Sequence, residues 1–185
     1  MAILFVNEYR AQPNDSLYNV SVNVGFGYSR YLASLPKIGL NKNSFNITGR
    51  IMWEPEHLLS VGVETGYVPL FFFQTNDYKL VDGSVNVDLS LVAIPVVIIF
   101  GMEIFEDFKI YAGVGGAALN STADFFENKV VSSSWSNAYN LSVAYSHKIA
   151  INLNLGSEIK WYNISKIEDS ALLVQISILY NVFSY

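Results

Sequence analysis

The sequence predicts an all-β fold, an eight-stranded antiparallel up-and-down transmembrane β-barrel, and three observations carry this prediction. Apolar and polar residues alternate from residue 17 onward, which is the pattern of strands with one apolar face. The polar face carries mainly Gly, Ser and Asn, which solubilise a surface poorly but suit a narrow barrel interior. Only 15% of the residues are charged, while 51% are hydrophobic and 15% are aromatic.

The first four predicted strands cover residues 18–29, 44–54, 59–67 and 85–100. The first strand alternates most clearly, since its even-numbered residues are all apolar and its odd-numbered residues are Gly, Ser or Asn. In the second and third strands the odd-numbered residues form the apolar face.

The fourth strand alternates as far as Leu91 and is then apolar on both faces, with Pro95 in the middle. Because proline lacks the N–H that a central strand donates, we expect a β-bulge near residues 94–96. The alternative is an unbroken strand with an apolar lower interior.

The last four predicted strands cover residues 108–119, 135–145, 149–161 and 172–182. The connections at 32–42, 69–84 and 120–133 are long, those at 54–57, 101–107 and 146–148 are short, and 163–169 is intermediate. Each strand together with its connection is longer than the roughly 8–12 residues that separate successive strands in soluble sandwiches. Long loops on one side and tight turns on the other are typical of outer-membrane barrels.

Aromatic residues lie near both ends of the apolar face, where the rings of a membrane barrel meet the lipid headgroups. At the short-turn end the predicted membrane-interface aromatics are Tyr18, Trp53, Phe108 and Tyr145. At the loop end they are Tyr28, Tyr67, Tyr139 and Trp161. Two such belts favour a lipid-facing apolar surface over a soluble barrel that hides its apolar face.

Four passages carry a family resemblance: VGVETGYVPL at 61–70, LVAIPVVIIF at 91–100, IYAGVGGAAL at 110–119 and the aromatic last strand ILYNVFSY at 178–185. On these passages the chain resembles the small OmpA/OmpX-like outer-membrane β-barrel proteins over residues 17–185. The resemblance implies an integral protein of the cell outer membrane, with termini and short turns periplasmic and long loops extracellular. It also implies outer-membrane lipids as partners, and the barrel-assembly machinery as a partner during biogenesis.

Residues 1–16 precede this barrel domain, and two interpretations of them stay open. The apolar stretch 2–6 is shorter than a signal-peptide core and follows no basic region, so it fits either a signal-peptide remnant or an N-terminal arm.

Charged residues on the polar face predict a luminal ion-pair network. Its predicted members are Arg50, Glu64, Asp88, Lys109, Glu158 and Lys160. The short turn at 54–57 places Arg50 directly opposite Glu64, or diagonally if the register differs. Since the side chains of eight strands just fill a barrel, the network is expected to plug the lumen, and a gated polar path is the alternative.

Other chemistry finds little support in the sequence. A net charge of −5 argues against nucleic acid, and the absence of Cys excludes thiol catalysis and Cys-based metal sites. The G-x-G-x-x-A pattern at 113–118 lacks the acidic residue that a dinucleotide site needs about 20 residues on. His57 and His147 fall at short turns without a catalytic motif. We predict no catalytic residue, cofactor or metal.

The sequence therefore favours a non-enzymatic outer-membrane barrel that is a structural or accessory subunit, with a larger envelope complex as a candidate partner. The alternatives are a lipid-modifying outer-membrane enzyme and a narrow channel. Aromatic clusters at 68–78 and 123–131 fit partner binding, mutual packing or the outer lipid interface equally well.

Overall fold

A computed structural model describes residues 18–32, 41–55, 59–80, 83–105, 107–125, 128–167 and 169–184. The strands are β1 (Tyr18–Tyr31), β2 (Asn43–Pro55), β3 (Ser60–Leu80), β4 (Gly83–Phe105), β5 (Phe108–Phe125), β6 (Asn128–Ala150), β7 (Leu153–Ile164) and β8 (Asp169–Ser184), and a short 3₁₀ helix spans Ser165–Ile167. Among these residues, no helix is both long and apolar enough to cross a membrane.

Each strand pairs antiparallel with the next, and β8 pairs with β1, so the eight strands close into one barrel in chain order. The predicted fold class is confirmed. Following cross-strand partners once around the ring from Val22 leads back to β1 at Leu32, ten residues further along. With roughly 3.3 Å per residue and 4.8 Å between strands, this displacement tilts the strands by about 40° from the barrel axis.

The apolar face of each strand points outward and the small polar face points into the barrel. In β1, Val24, Phe26 and Tyr28 are 44–51% exposed, while Ser21 and Ser29 are almost completely buried. This is the reverse of a water-soluble domain, in which large apolar side chains are the buried ones.

Two predicted loops are instead mostly strand. β3 continues to Leu80, which pairs with Gly83 of β4, so most of 69–84 is a hairpin, and β5 and β6 extend through most of 120–133 in the same way. The predicted short turn at 146–148 is also strand, and the chain turns at residues 151–152. The extended hairpins pair with each other, since Val87 lies opposite Phe125, and this pairing provides backbone hydrogen bonds that isolated loops lack.

The predicted bulge in β4 is wrong. The β4–β5 register is continuous from Val87 to Glu103, with Pro95 buried on the luminal side. Pro95 lies where the hydrogen-bond ladder between β3 and β4 has a gap. The paired positions on either side of this gap keep the same register, so the gap accommodates the proline without a bulge in β4. The register shift lies in β3, between Pro69 and Phe71, where a bulge reverses the inward and outward positions of the strand above it.

The four extended strands form a sheet that rises on one side of the barrel mouth. We call residues 71–80, 83–91, 120–125 and 128–137 the protruding sheet. The β6–β7 pairing ends at Ala138, so residues 128–137 of β6 continue without β7 beside them. At about 3.3 Å per residue and the tilt above, these residues carry the sheet about 25 Å beyond the end of β7.

Candidate functional site

Glu64 on β3 is the centre of a buried polar cluster in the lumen. Its Oε2 accepts hydrogen bonds from Arg50 Nε at 2.7 Å and from Lys160 Nζ at 2.8 Å. Its Oε1 accepts from Asn140 Nδ2 at 3.0 Å and from the Tyr162 hydroxyl. Because β3 and β7 lie on opposite sides of the eight-stranded ring, the contacts with Lys160 and Tyr162 cross the lumen. A side chain bonded in this way fills the middle of the barrel.

Arg50 and Glu158 complete the cluster, which we call the luminal network. One terminal nitrogen of Arg50 lies 2.6 Å from Glu64 Oε2 and 2.5 Å from Glu158 Oε1, and its guanidinium carbon lies 4.0 Å from the centre of the Tyr111 ring. Lys160 Nζ is also 3.6 Å from Glu158 Oε1. The two cations and two carboxylates balance in charge, as burial of ionised groups requires.

Neutral side chains extend the luminal network. Thr48 Oγ1 lies 3.4 Å from Lys160 Nζ and donates to Gln175 Oε1 at 3.1 Å. The Gln175 amide in turn donates to Asn46. No sequence pattern predicted these neutral members, because cross-lumen contacts follow from barrel closure and not from spacing along the chain.

The other two predicted members of the network lie elsewhere. Lys109 forms a separate pair near the short-turn end, with its Nζ 2.7 Å from Glu54 Oε2, and Ser21 donates to the same carboxylate at 2.9 Å. Asp88 is exposed and lies in the protruding sheet, on the side of β4 opposite the buried Val87. The expected luminal position of Asp88 depended on the bulge in β4, which is absent.

An apolar layer closes the lumen on the loop side of the luminal network. Its buried members, contributed by six strands, are Tyr31, Val68, Leu70, Ala93, Leu119, Tyr162, Ile164, Ala171 and Leu173. Phe71 and Leu91 of the protruding sheet pack against this layer. Among the described residues, the apolar layer thus lies between the luminal network and the loop-side mouth of the barrel.

The eight predicted interface aromatics all lie on the barrel exterior, each between 38% and 49% exposed. At the short-turn end, Tyr18 stacks near Trp53 and Phe108 contacts Tyr145. At the other end, Tyr28 meets Phe45 edge to face. These pairs lie near the two ends of the outward apolar band.

The remaining sequence candidates show no catalytic arrangement. His57 lies outside the described residues, and His147 is exposed with its Nδ1 3.5 Å from Asp107 Oδ2. None of the hydrogen bonds found for His147 in the described part of the chain involves a serine. The pattern at 113–118 lies within β5, where a Cβ on Gly113 would be 2.4 Å from Ile99 Cδ1. In the described ranges, no group of three or more His, Cys, Asp or Glu residues could hold a metal ion.

Comparison with known proteins finds similarity at the level of the fold. No protein-family model and no curated protein matches the chain. Among solved structures, the attachment invasion locus protein Ail of Yersinia pestis, in complex with the heparin analogue sucrose octasulfate, is similar at 15% identity and a TM-score of 0.56, covering 89% of this chain and 98% of that one. A major outer-membrane protein from Thermus thermophilus is similar at 11% identity and a TM-score of 0.56, with coverage of 89% and 98%. These likenesses confirm the fold expected from the resemblance to small outer-membrane barrels.

Proposed function

We propose that this chain is a non-enzymatic integral protein of the outer membrane and a structural or accessory subunit of an envelope complex. The observation that carries the proposal is the outward band of large apolar side chains on a closed barrel whose interior buries an ionic cluster. In water this band would be an aggregation surface, whereas in a bilayer it meets hydrocarbon and leaves every barrel strand paired. In this proposal the short turns face the periplasm and the protruding sheet faces the exterior.

The membrane part of the proposal is tested by heat modifiability in SDS. Protein refolded into detergent or liposomes is expected to migrate differently with and without boiling, and its circular dichroism is expected to be that of β-structure. Identical migration in both lanes together with a helical spectrum would refute the membrane barrel.

The accessory role is supported by the protruding sheet. Unpaired strand edges are templates for adding another strand, and many partners bind in this way. On the edge formed by β6, the side chains of Val130, Val131 and Trp135 are 60–63% exposed. On the other outer strand the side chain of Phe72 is 41% exposed, while its backbone N–H and C=O pair with Asn41. We propose that this sheet docks an extended segment of an envelope protein.

Site-specific photo-crosslinking in native membranes tests this docking. A photoreactive amino acid is placed at Val131 or Trp135 in the protruding sheet, and at Val143 in the apolar band of the same strand as a matched control. The expected result is one common protein partner captured from the first two positions and only lipid from the third. Equal capture at all three positions, or no protein at any, would contradict the proposal.

The two alternative functions receive less support. The apolar layer above the luminal network opposes a channel. A lipid-modifying enzyme would need a nucleophile beside a base, and the described residues show no such pair at His147. Unchanged lipid A and phospholipid acylation on overexpression is the expected result, and a new acylated species would favour the enzyme.

A further inference from the structure

Some buried polar atoms in the lumen make no hydrogen bond to any of the residues that the structure describes. Three of them lie close to the luminal network: Nη1 of Arg50, Oδ1 of Asn140 and Oγ of Ser142. The three residues are only 2–4% exposed. Another such atom, Nδ2 of Asn46, lies four residues along β2 from Arg50, towards the loop side. Because buried polar groups are nearly always hydrogen-bonded, the three atoms near the network call for a partner.

The position of Ser142 on β6 brings these atoms to one site. Its cross-strand partners are Tyr111 on β5 and Lys160 on β7. The guanidinium carbon of Arg50 lies 4.0 Å from the centre of the Tyr111 ring. Arg50 Nη2 and Lys160 Nζ contact the same oxygen of Glu64, at 2.6 and 2.8 Å. The guanidinium is therefore held between the two neighbours of Ser142, on the luminal side of its hydroxyl.

The unbonded atoms of Arg50 and Asn140 face away from Glu64. Arg50 bonds the Glu64 carboxylate through Nε and Nη2, so Nη1 is the third corner of the planar guanidinium. Asn140 bonds the same carboxylate through Nδ2, so its Oδ1 points to the other side of the amide. Asn140 and Ser142 are alternate residues on the luminal face of β6, about 6.7 Å apart. Because the guanidinium lies over Ser142, a small molecule between these two side chains is within its reach.

The chemistry of the three atoms selects a neutral ligand that both donates and accepts hydrogen bonds. Nη1 of Arg50 can only donate, Oδ1 of Asn140 can only accept, and the hydroxyl of Ser142 can do both. A cation would be repelled by Arg50, and an anion would find no donor at Asn140 Oδ1. The luminal network already balances two cations with two carboxylates, so a bound ion would add an uncompensated charge to the interior.

We propose that an ordered water molecule binds between Asn140 and Ser142 in the lumen and accepts a hydrogen bond from Arg50 Nη1. It donates to Asn140 Oδ1 and to Ser142 Oγ, which gives the roughly three hydrogen bonds that a buried water makes. The water joins the guanidinium to the β6 wall, on the side that Glu64 and Glu158 leave free, and so fixes the orientation of Arg50. The inference depends on the closed barrel and not on the proposed role in an envelope complex.

Crystal structures of the wild type, Ser142→Ala and Ser142→Val, from crystals soaked in bromide, test the proposal. In the wild type, a water is expected within about 3.2 Å of Arg50 Nη1 and of at least one of Asn140 Oδ1 and Ser142 Oγ. It is expected to remain in Ser142→Ala, which keeps two of its partners. It is expected to be lost in Ser142→Val, whose larger side chain fills its position.

Urea unfolding in liposomes measures what the water contributes to stability. Ser142→Val is expected to shift the unfolding midpoint to a lower urea concentration, because Arg50 and Asn140 lose a partner while remaining buried. Ser132→Val is the matched control, since it is the same substitution on the same face of β6 at an exposed position in the protruding sheet. Equal midpoints for the two valine variants would overturn the role of the water in fixing Arg50.

Two crystallographic results would overturn the site. An anomalous bromide signal at this position would assign it to an anion. A direct hydrogen bond from Arg50 Nη1 to Asn140 Oδ1 or Ser142 Oγ, with no density between them, would show that the protein satisfies these atoms without water. Both results can be read from the wild type and Ser142→Ala, so the test stands even if Ser142→Val does not fold.

Discussion

Among single residues, Glu64 holds the barrel interior together. Each of its two carboxylate oxygens accepts two hydrogen bonds, and the four donors come from β2, β6 and β7. The carboxylate is nearly inaccessible to solvent, so water does not stabilise its charge. Its negative charge is balanced by the ion pairs with Arg50 and Lys160. Removing one charge from such a cluster leaves its partner buried and uncompensated. This lowers the stability of the fold more than replacing both charges does.

Replacing either Arg50 or Glu64 is therefore expected to destabilise the barrel more than replacing both. Arg50→Met or Glu64→Leu alone should lower the free energy of unfolding by about 3–5 kcal/mol, and the double variant by less than either. Urea unfolding in liposomes, analysed as a double-mutant cycle, provides the measurement. Glu103→Gln, at an exposed position outside the network, is the control and should change stability by less than about 0.5 kcal/mol. Strictly additive effects of the two substitutions would contradict the pairing.

Between neighbouring strands, β5 and β6 fit each other through a glycine beneath an aromatic ring. Gly116 is on the outward face of β5, yet it is buried, because the indole of Trp135 on β6 lies over it. A Cβ at Gly116 would be 2.4 Å from the Trp135 ring. The aromatic ring covers backbone that the glycine leaves bare, which compensates for the low strand propensity of glycine.

Gly116→Ala is expected to displace the Trp135 indole and to lower stability by about 1 kcal/mol. The same substitution should have almost no effect in a Trp135→Ala background, where the ring is gone. Gly49→Ala is the matched control, since a Cβ at Gly49 meets nothing within 4 Å and should be neutral or stabilising. Equal effects of Gly116→Ala with and without Trp135 would show that the ring does not pack as described.

The register of β4 is likewise a property of paired strands. Ile98 is 50% exposed and Ile99 is fully buried, and the unbroken β4–β5 ladder fixes this alternation. The chain has no cysteine, so single cysteines introduced at these positions can be labelled selectively with a nitroxide. The label at Ile98 is expected to be highly accessible to oxygen in the bilayer, like one at its outward partner Val114, and the label at Ile99 is not. Lipid accessibility at Ile99 would place the opposite face outward and refute this register.

The barrel as a whole is closed inside and asymmetric outside. The luminal network and the apolar layer fill the interior, as eight strands allow. In the part of the chain that the structure describes, the protruding sheet extends the β3–β6 side of the barrel. The described residues thus combine a filled barrel interior with a sheet that rises on one side of the barrel mouth.

Planar bilayer recording tests the sealed interior. Wild-type protein is expected to insert without discrete conductance steps, because ions would have to cross the apolar layer in a low-dielectric environment. A detergent preparation without protein serves as the control. Reproducible steps that change size in Leu70→Ser, a polar substitution within the apolar layer, would favour a channel instead.

The alternation of residues along the chain is enough to define most of the strands and their faces. It places each side chain on one face or the other, so the pattern alone assigns the even-numbered residues of β1 and the odd-numbered residues of β2 to the outside. The short turn after β2 likewise predicts that Arg50 lies opposite Glu64, as it does. These features are local, and they depend on a few consecutive residues.

Where strand pairing stops, and which side chains meet across the lumen, depends instead on tertiary contacts. Residues 69–84 and 120–133 are rich in turn-forming and polar residues, but the two hairpins stabilise each other as strands. The single-residue bulge lies near Pro69 in β3 and not at Pro95, and the unbroken register of β4 leaves Asp88 outside the lumen. Lys160 reaches Glu64 because barrel closure brings β7 opposite β3. Such contacts join residues far apart in the chain, and the period of a single strand carries no information about them.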